Sequence, residues 1–380
     1  MRYRLSVGDE TSRSPRPLIS QGLLTIPSWL RVRSRAGRSL GGMIAVIAIL
    51  HITGWLTLIG IVAPQHLAVG ARTFDVGIGV TAYMLGIRHA LDADHIAAID
   101  NTTRQLMTKN ERPLSVGFWF AIGHSSVVFV LTVLFGLGAR TLARPFLDNG
   151  SKLHILTEIS GTIVSVGFLY AIAALNMQTL SRAWRQFRFR RTDLPPDDES
   201  EKELDKCGLL NRLLRPLMKL VAKPWQMYFI GLLFGLGFDT ATEISLLVLS
   251  GAGAASGLPW YAILCLLVLF ASGMSIIDTI DGSLMNVAYG WGLARPAARI
   301  GYNLAVTTVS VAVALVIGTL EILGLVGNRL RLQGAFWHRI AAIDLNVVGL
   351  AIVALFMFAW GIALVTRRLA YYIRRAEIVH

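Results

Sequence analysis

A chain of 380 residues that is 54% hydrophobic, only 16% charged and +0.57 in mean hydropathy is too apolar for a soluble globular protein, where about 25% of residues are charged. Its formal net charge of +13 sits in clusters flanking apolar runs, which points to membrane topology and anionic lipid rather than nucleic acid. With Cys207 in a charged segment and Cys265 in an apolar run, neither a disulfide framework nor a thiolate metal site is expected.

In chain order, residues 1–41 are rich in arginine and serine but also carry Asp9 and Glu10, and they lack an apolar core with a cleavage site. They read as a basic cytoplasmic tail rather than a signal peptide. Eight apolar runs follow, at about 42–63, 77–100, 114–138, 155–178, 226–250, 259–280, 302–326 and 342–366, each long enough to cross a hydrocarbon core about 30 Å thick as a helix. The fold class expected is an all-α polytopic membrane protein. Segment 179–225 holds eleven Lys or Arg residues and a Pro195-Pro196-Asp197-Asp198 core, whereas the connection 251–258 holds none. That alternation predicts both termini and the 179–225 loop in the cytoplasm, with a second basic tail over 367–380. The spans then fall into two groups, 42–178 and 226–366, in a multi-pass protein of the cell (inner) membrane.

Ionisable groups inside such spans carry a penalty of roughly 2.5–3.5 kcal/mol and mark function by default. Span two concentrates them, in Arg88-His89-Ala90-Leu91-Asp92-Ala93-Asp94-His95. His89 lies about 18 Å from the start of that span, near the bilayer middle. On a straight helix His89, Asp92 and His95 share one stripe with Arg88 a turn from Asp92, while Asp94 points about 140° away from His89. Either Asp94 serves another partner or the backbone is unwound there, as where a membrane helix lines a cavity. Imidazole with carboxylate is a donor set for nickel, cobalt, copper or zinc; the plainer alternative is an Arg88–Asp92 pair with histidines bonded to neighbouring helices. His51 in span one, His124 in span three, and Asp239 and Glu243 in span five are further candidate ligands. Ser125 and Ser126 also suit plain helix packing, Asp278 and Asp281 also suit a pair at the water interface, and His66, His154 and His338 fall in connections.

Phe120-Ala121-Ile122-Gly123-His124-Ser125 echoes Phe270-Ala271-Ser272-Gly273-Met274-Ser275 at an offset of 150, and Ala93-Asp94-His95-Ile96 echoes Ala241-Thr242-Glu243-Ile244 at nearly the same offset. Three spans separate the copies, so a true repeat is inverted, the architecture that places transporter sites at the midplane.

Arg88 to Ile96 (RHALDADHI) resembles the second-helix signature of the nickel/cobalt transporter family. FAIGHSSVV from Phe120, LGFDTATEI from Leu236 and GMSIIDTIDGSLM from Gly273 resemble its other signatures, in order. The resemblance implies eight transmembrane helices and ATP-independent permeation of Ni²⁺ or Co²⁺. It also implies that His89, Asp92, Asp94 and His95 handle the metal, with His51 in the place of a first-helix partner. No phosphate loop is present, so no cofactor and no ATPase subunit are expected, and the partners are a divalent transition-metal ion and membrane lipid. The expectation is a secondary transporter working inward on the membrane potential. Efflux through the same site, or an intramembrane metal-dependent hydrolase, is the alternative.

Overall fold

Apolar runs fold as helices here because a backbone in hydrocarbon finds its hydrogen-bond partners within its own segment. The structure, a computed structural model, describes residues 35–69, 72–108, 113–136, 151–192, 221–237, 241–255, 257–292, 296–358 and 361. The N-terminal tail before residue 35, most of the 179–225 loop, the C-terminal tail, Cys207 and Asp239 lie outside them. Helix α1 (Arg35–Thr57) runs through looser turns to Gln65, and a small antiparallel hairpin, β1 (Ala68–Val69) with β2 (Arg72–Thr73), leads out of it. Then come α2 (Val76–Ala90), α3 (Ala93–Thr108), α4 (Val116–Gly136) and α5 (Lys152–Thr192). The second half contains α6 (Met227–Gly235), α7 (Ala241–Ala255), α8 (Trp260–Gly292), α9 (Pro296–Arg329), α10 (Ala335–Ala341) and α11 (Leu345–Phe358).

Among the described residues five helices are long and apolar enough to cross a membrane: Ser39–Gln65, Val116–Val133, Ile155–Ser181, Trp260–Ala288 and Leu304–Arg329. The pair α10 and α11, bent by 69°, makes a sixth crossing if taken as one span. The predicted spans two and five are present as the divided pairs α2/α3 and α6/α7, which is why neither passes as one long helix. The all-α, polytopic expectation holds. Apolar residues such as Ile49, Ile52, Leu56, Val316, Leu350 and Phe358 face outward, while His89, Asp94, His95, Asp100, Asn101, Glu243 and Asp278 are buried. That is the pattern of a chain whose solvent is lipid.

The polar helix α3 depends on burial within protein. Its Asn101 donates to the Ser310 carbonyl on α9 (3.2 Å) and accepts from Asn176 on α5 (2.8 Å), and Arg104 donates to Thr307 on α9. One apolar cluster joins α3, α4, α5, α6 and α9 through Ile96, Ile99, Phe120, Leu169, Phe234 and Ile317. A second joins α2, α7, α8 and the turn that follows α1 through Leu58, Ala82, Leu246, Leu266, Leu269 and Phe270.

Two glycine pairs pack in a reciprocal way. A Cβ at Gly86 of α2 would strike the Phe270 carbonyl of α8, and one at Gly273 of α8 would meet the Tyr83 carbonyl of α2. Likewise a Cβ at Gly231 of α6 would strike the Phe120 carbonyl of α4, and one at Gly123 of α4 would strike the Tyr228 carbonyl of α6. Tyr83-x-x-Gly86 thus corresponds to Tyr228-x-x-Gly231, and Phe120-x-x-Gly123 to Phe270-x-x-Gly273. Each unit's first helix packs backbone-to-backbone on the other unit's last helix, which small residues permit. Such reciprocal exchange is what a two-fold relation between the units produces.

Candidate metal site

The local sequence breaks span two just where its charges cluster. Helix α2 ends as the Leu91 and Asp92 amides donate to the Arg88 and His89 carbonyls (3.2 and 3.0 Å). Asp92 precedes α3: its carbonyl accepts from the Ile96 amide (3.2 Å), the first bond of that helix, and its side chain accepts from the adjacent Ala93 amide (2.8 Å). Asp94 in the first turn accepts from the His95 amide (2.8 Å). The doubt over Asp94 therefore resolves as a break in the backbone. Helix α11 seals it from one side, since a Cβ at Gly349 would overlap the Leu91 carbonyl.

The break turns the two histidines of span two toward each other and toward α4. His89 and His95 have ring centroids 4.6 Å apart, and His124 of α4 lies 4.6 Å from His89 and 4.9 Å from His95. One ring nitrogen from each of the three falls within 4.8 Å of the others, and all three residues are buried. Glu243, in the first turn of α7, joins them: its Oε1 accepts from His124 Nε2 at 2.5 Å and lies 3.7 Å from His89 Nε2. His89 Nε2 and His124 Nε2 are 2.8 Å apart, and Thr242 hydrogen-bonds His89 Nδ1 at 3.0 Å. Behind His95, Asp278 Oδ2 stands 3.7 Å from Nδ1. Phe120 and Phe270 pack against the rings.

Of the predicted site residues, His89, His95, His124 and Glu243 are thus brought together. Asp92 and Asp94 are buried but line a cavity of about 500 Å³ between α5, α9 and α10. His51 is placed elsewhere: its Nδ1 donates to the Ile47 carbonyl (2.8 Å), leaving Nε2 to meet the Tyr83 hydroxyl (3.3 Å). Asp239 lies outside the described residues. Arg88 does not pair with Asp92; its exposed guanidinium bonds Asp344 before α11 (3.3 Å), because the break takes Asp92 off the stripe a continuous helix would give it. Asp278 and Asp281 are likewise not an interfacial pair, since α8 continues to Gly292 and buries both. Ser126 bonds the Ile122 carbonyl within its own helix (2.7 Å), as the packing reading requires. Thr242 and the partnership of Asp278 with His95 were missed by sequence reasoning. The repeat pointed to Thr242, which aligns with Asp94.

Three imidazoles and a carboxylate at this spacing form a compact nitrogen-rich donor set, suited to borderline divalent ions. The comparisons with known proteins agree in kind. A family model described as high-affinity nickel-transport protein (NicO) matches residues 76–366. The chain is 52% identical to the nickel transporter NicT of Mycobacterium tuberculosis over 341 residues, 90% of either chain. It is 41% identical to the nickel transporter NixA of Staphylococcus aureus, covering 84% of this chain and 91% of that one. It is 36% identical to the cobalt transport protein NhlF of Rhodococcus rhodochrous, covering 90% and 95%. No solved structure matches.

Proposed function

Because the chain belongs to the family of high-affinity nickel-transport proteins, we propose that it is a permease for Ni²⁺ and Co²⁺ whose cargo exchanges water for protein ligands at His89, His95, His124 and Glu243. The observation that carries this reading is the convergence of three buried ring nitrogens within 4.8 Å, with a carboxylate oxygen 2.5 Å from one of them. Neutral imidazoles supply the donors that nickel and cobalt prefer, and Glu243 compensates charge.

The two helix starts at this place, α3 and α7, each carry about half a positive charge, which by itself repels a cation. Asp94 and Glu243 stand in those first turns and reverse the local sign. Asp278 orients His95 from behind, as carboxylates commonly do for ligating histidines. Past it, Asp281 and Asp100 extend the line of buried carboxylates along α8 and α3, a route by which the ion leaves the histidines. In the orientation with both termini cytoplasmic, α2 enters from outside and this route leads to the cytoplasm. A membrane potential of 100 mV favours inward movement of a divalent ion by about 4.6 kcal/mol, roughly a thousandfold accumulation or more, so a uniporter suffices for uptake.

Radiolabelled Ni²⁺ uptake by cells making the protein is expected to vanish in His95→Ala and in His124→Ala, each present in the membrane at the normal level. Wild-type uptake by either variant removes the assignment. Cells preloaded with Ni²⁺ test direction: loss no faster than from cells lacking the protein supports import, and accelerated loss identifies efflux.

A further inference from the structure

Span seven contains a charge that none of the four signature stretches holds. Glu321 is the single charged residue between Tyr302 and Val326, and a lone carboxylate in an apolar span calls for a functional reason. It lines the 500 Å³ cavity together with Asp92, Asp94, Glu158 and Thr162, and the cavity extends past these to Leu332, Trp337 and His338. Both of its carboxylate oxygens are buried and have no hydrogen-bond partner among the described residues, although Ser165 of α5 lies close by. Glu158, by contrast, is matched by Arg329. Asp92 and Asp94 are near enough for their charges to act on Glu321. Asp92, Asp94 and Glu321 thus bring three carboxylates to one cavity, none of them in an ion pair among the described residues, in a space with room for an ion and part of its water shell.

We propose that Glu321, with Asp92 and Asp94, forms a second, oxygen-lined docking site for a partly hydrated divalent cation in this cavity, from which the ion passes to the histidine cluster. The inference rests on the metal-transport reading of that cluster. Oxygen donors hold ions that keep several waters, whereas the imidazoles demand their removal, so the two sites divide capture from dehydration. Asp92 and Asp94 link them, since they line the cavity at the same helix break that positions His89 and His95. The cavity is also lined from the start of α5, the end of α9 and α10, helix ends that lie on the exterior side when both termini are cytoplasmic.

The test is the concentration dependence of radiolabelled Ni²⁺ uptake in Glu321→Gln and in Gly324→Lys, with His95→Ala beside them. Gly324 lines the same cavity one turn from Glu321, and a Cβ there meets nothing within 4 Å, so the lysine brings a positive charge beside the Glu321 carboxylate without a backbone clash. Both variants are expected to raise KM about tenfold with the maximal rate within about twofold, because local charge sets the ion's concentration at the site. If Glu321→Gln does not accumulate in the membrane, Gly324→Lys alone decides. An unchanged KM in the variants that do accumulate, or a lost maximal rate with KM unchanged, overturns the docking site. Normal uptake by His95→Ala would instead refute the underlying reading of the histidine cluster.

Discussion

At the scale of single residues, the candidate site is defined by which buried nitrogens and oxygens come together. His89 and His95 are six positions apart in sequence, yet the break between them lets both rings reach His124 at contact distance. An imidazole must be neutral to ligate, so protonation competes with metal. Uptake is accordingly expected to be full at neutral pH and to decline as external pH falls toward about 5; a flat profile in an uptake assay counts against imidazole ligation. On the proposed role of Asp278 as the residue that orients His95, Asp278→Asn is expected to weaken apparent Ni²⁺ affinity about 10- to 100-fold. A variant with wild-type KM would show that the 3.7 Å approach to His95 is incidental. The signature residues were legible in sequence as a group. Their division was not, because fifteen residues holding two histidines and three carboxylates do not reveal which of them face the same way.

At the scale of elements, breaks and close packing decide the geometry. Helix α2 ends at Ala90 and α3 begins at Ala93, so one span becomes two helices meeting at the site. The same division in the second half brings Glu243 to α7's first turn, and His95 and Glu243 are each the third residue of their half-helix. Four glycines hold the units together by letting carbonyls of one helix touch the backbone of the next. Gly86→Val and Gly231→Val are each expected to destabilise the protein, by roughly 1–3 kcal/mol or more, since side chains forced into packed contacts displace backbone. Melting of the detergent-purified protein measures this. Because the two contacts correspond, the two losses are expected to be similar, and a large loss from one with none from the other speaks against the repeat.

At the scale of the whole molecule, the repeat and the charge distribution bear on orientation. Units related by a two-fold, with an odd number of crossings between them, run in opposite directions through the membrane. The basic 179–225 segment is expected inside, which by the count of crossings puts the α9–α10 connection outside. In a background with Cys207 and Cys265 changed to Ser, Gly334→Cys is expected to react with a membrane-impermeant maleimide applied to intact cells, and Ser200→Cys only after lysis. The reverse labelling would invert the orientation, and with it the side from which the cavity is reached. The two apolar clusters and the outward-facing isoleucines, valines and leucines leave ionisable side chains of α2, α3, α4, α7 and α8 in the interior.

The sequence by itself determined the class of molecule, the family and the residue types of the site, because hydropathy, loop charge and short-range signatures are local properties that survive without coordinates. It also hinted at the repeat through two short echoes. Only the tertiary structure decided which candidates converge. His124 and Glu243 join His89 and His95, whereas His51 turns to Tyr83, Arg88 to Asp344, and Asp92 and Asp94 to a cavity shared with Glu321. These outcomes depend on a backbone break and on contacts between side chains from 32 to 256 residues apart in the sequence. No periodicity along one helix can encode them.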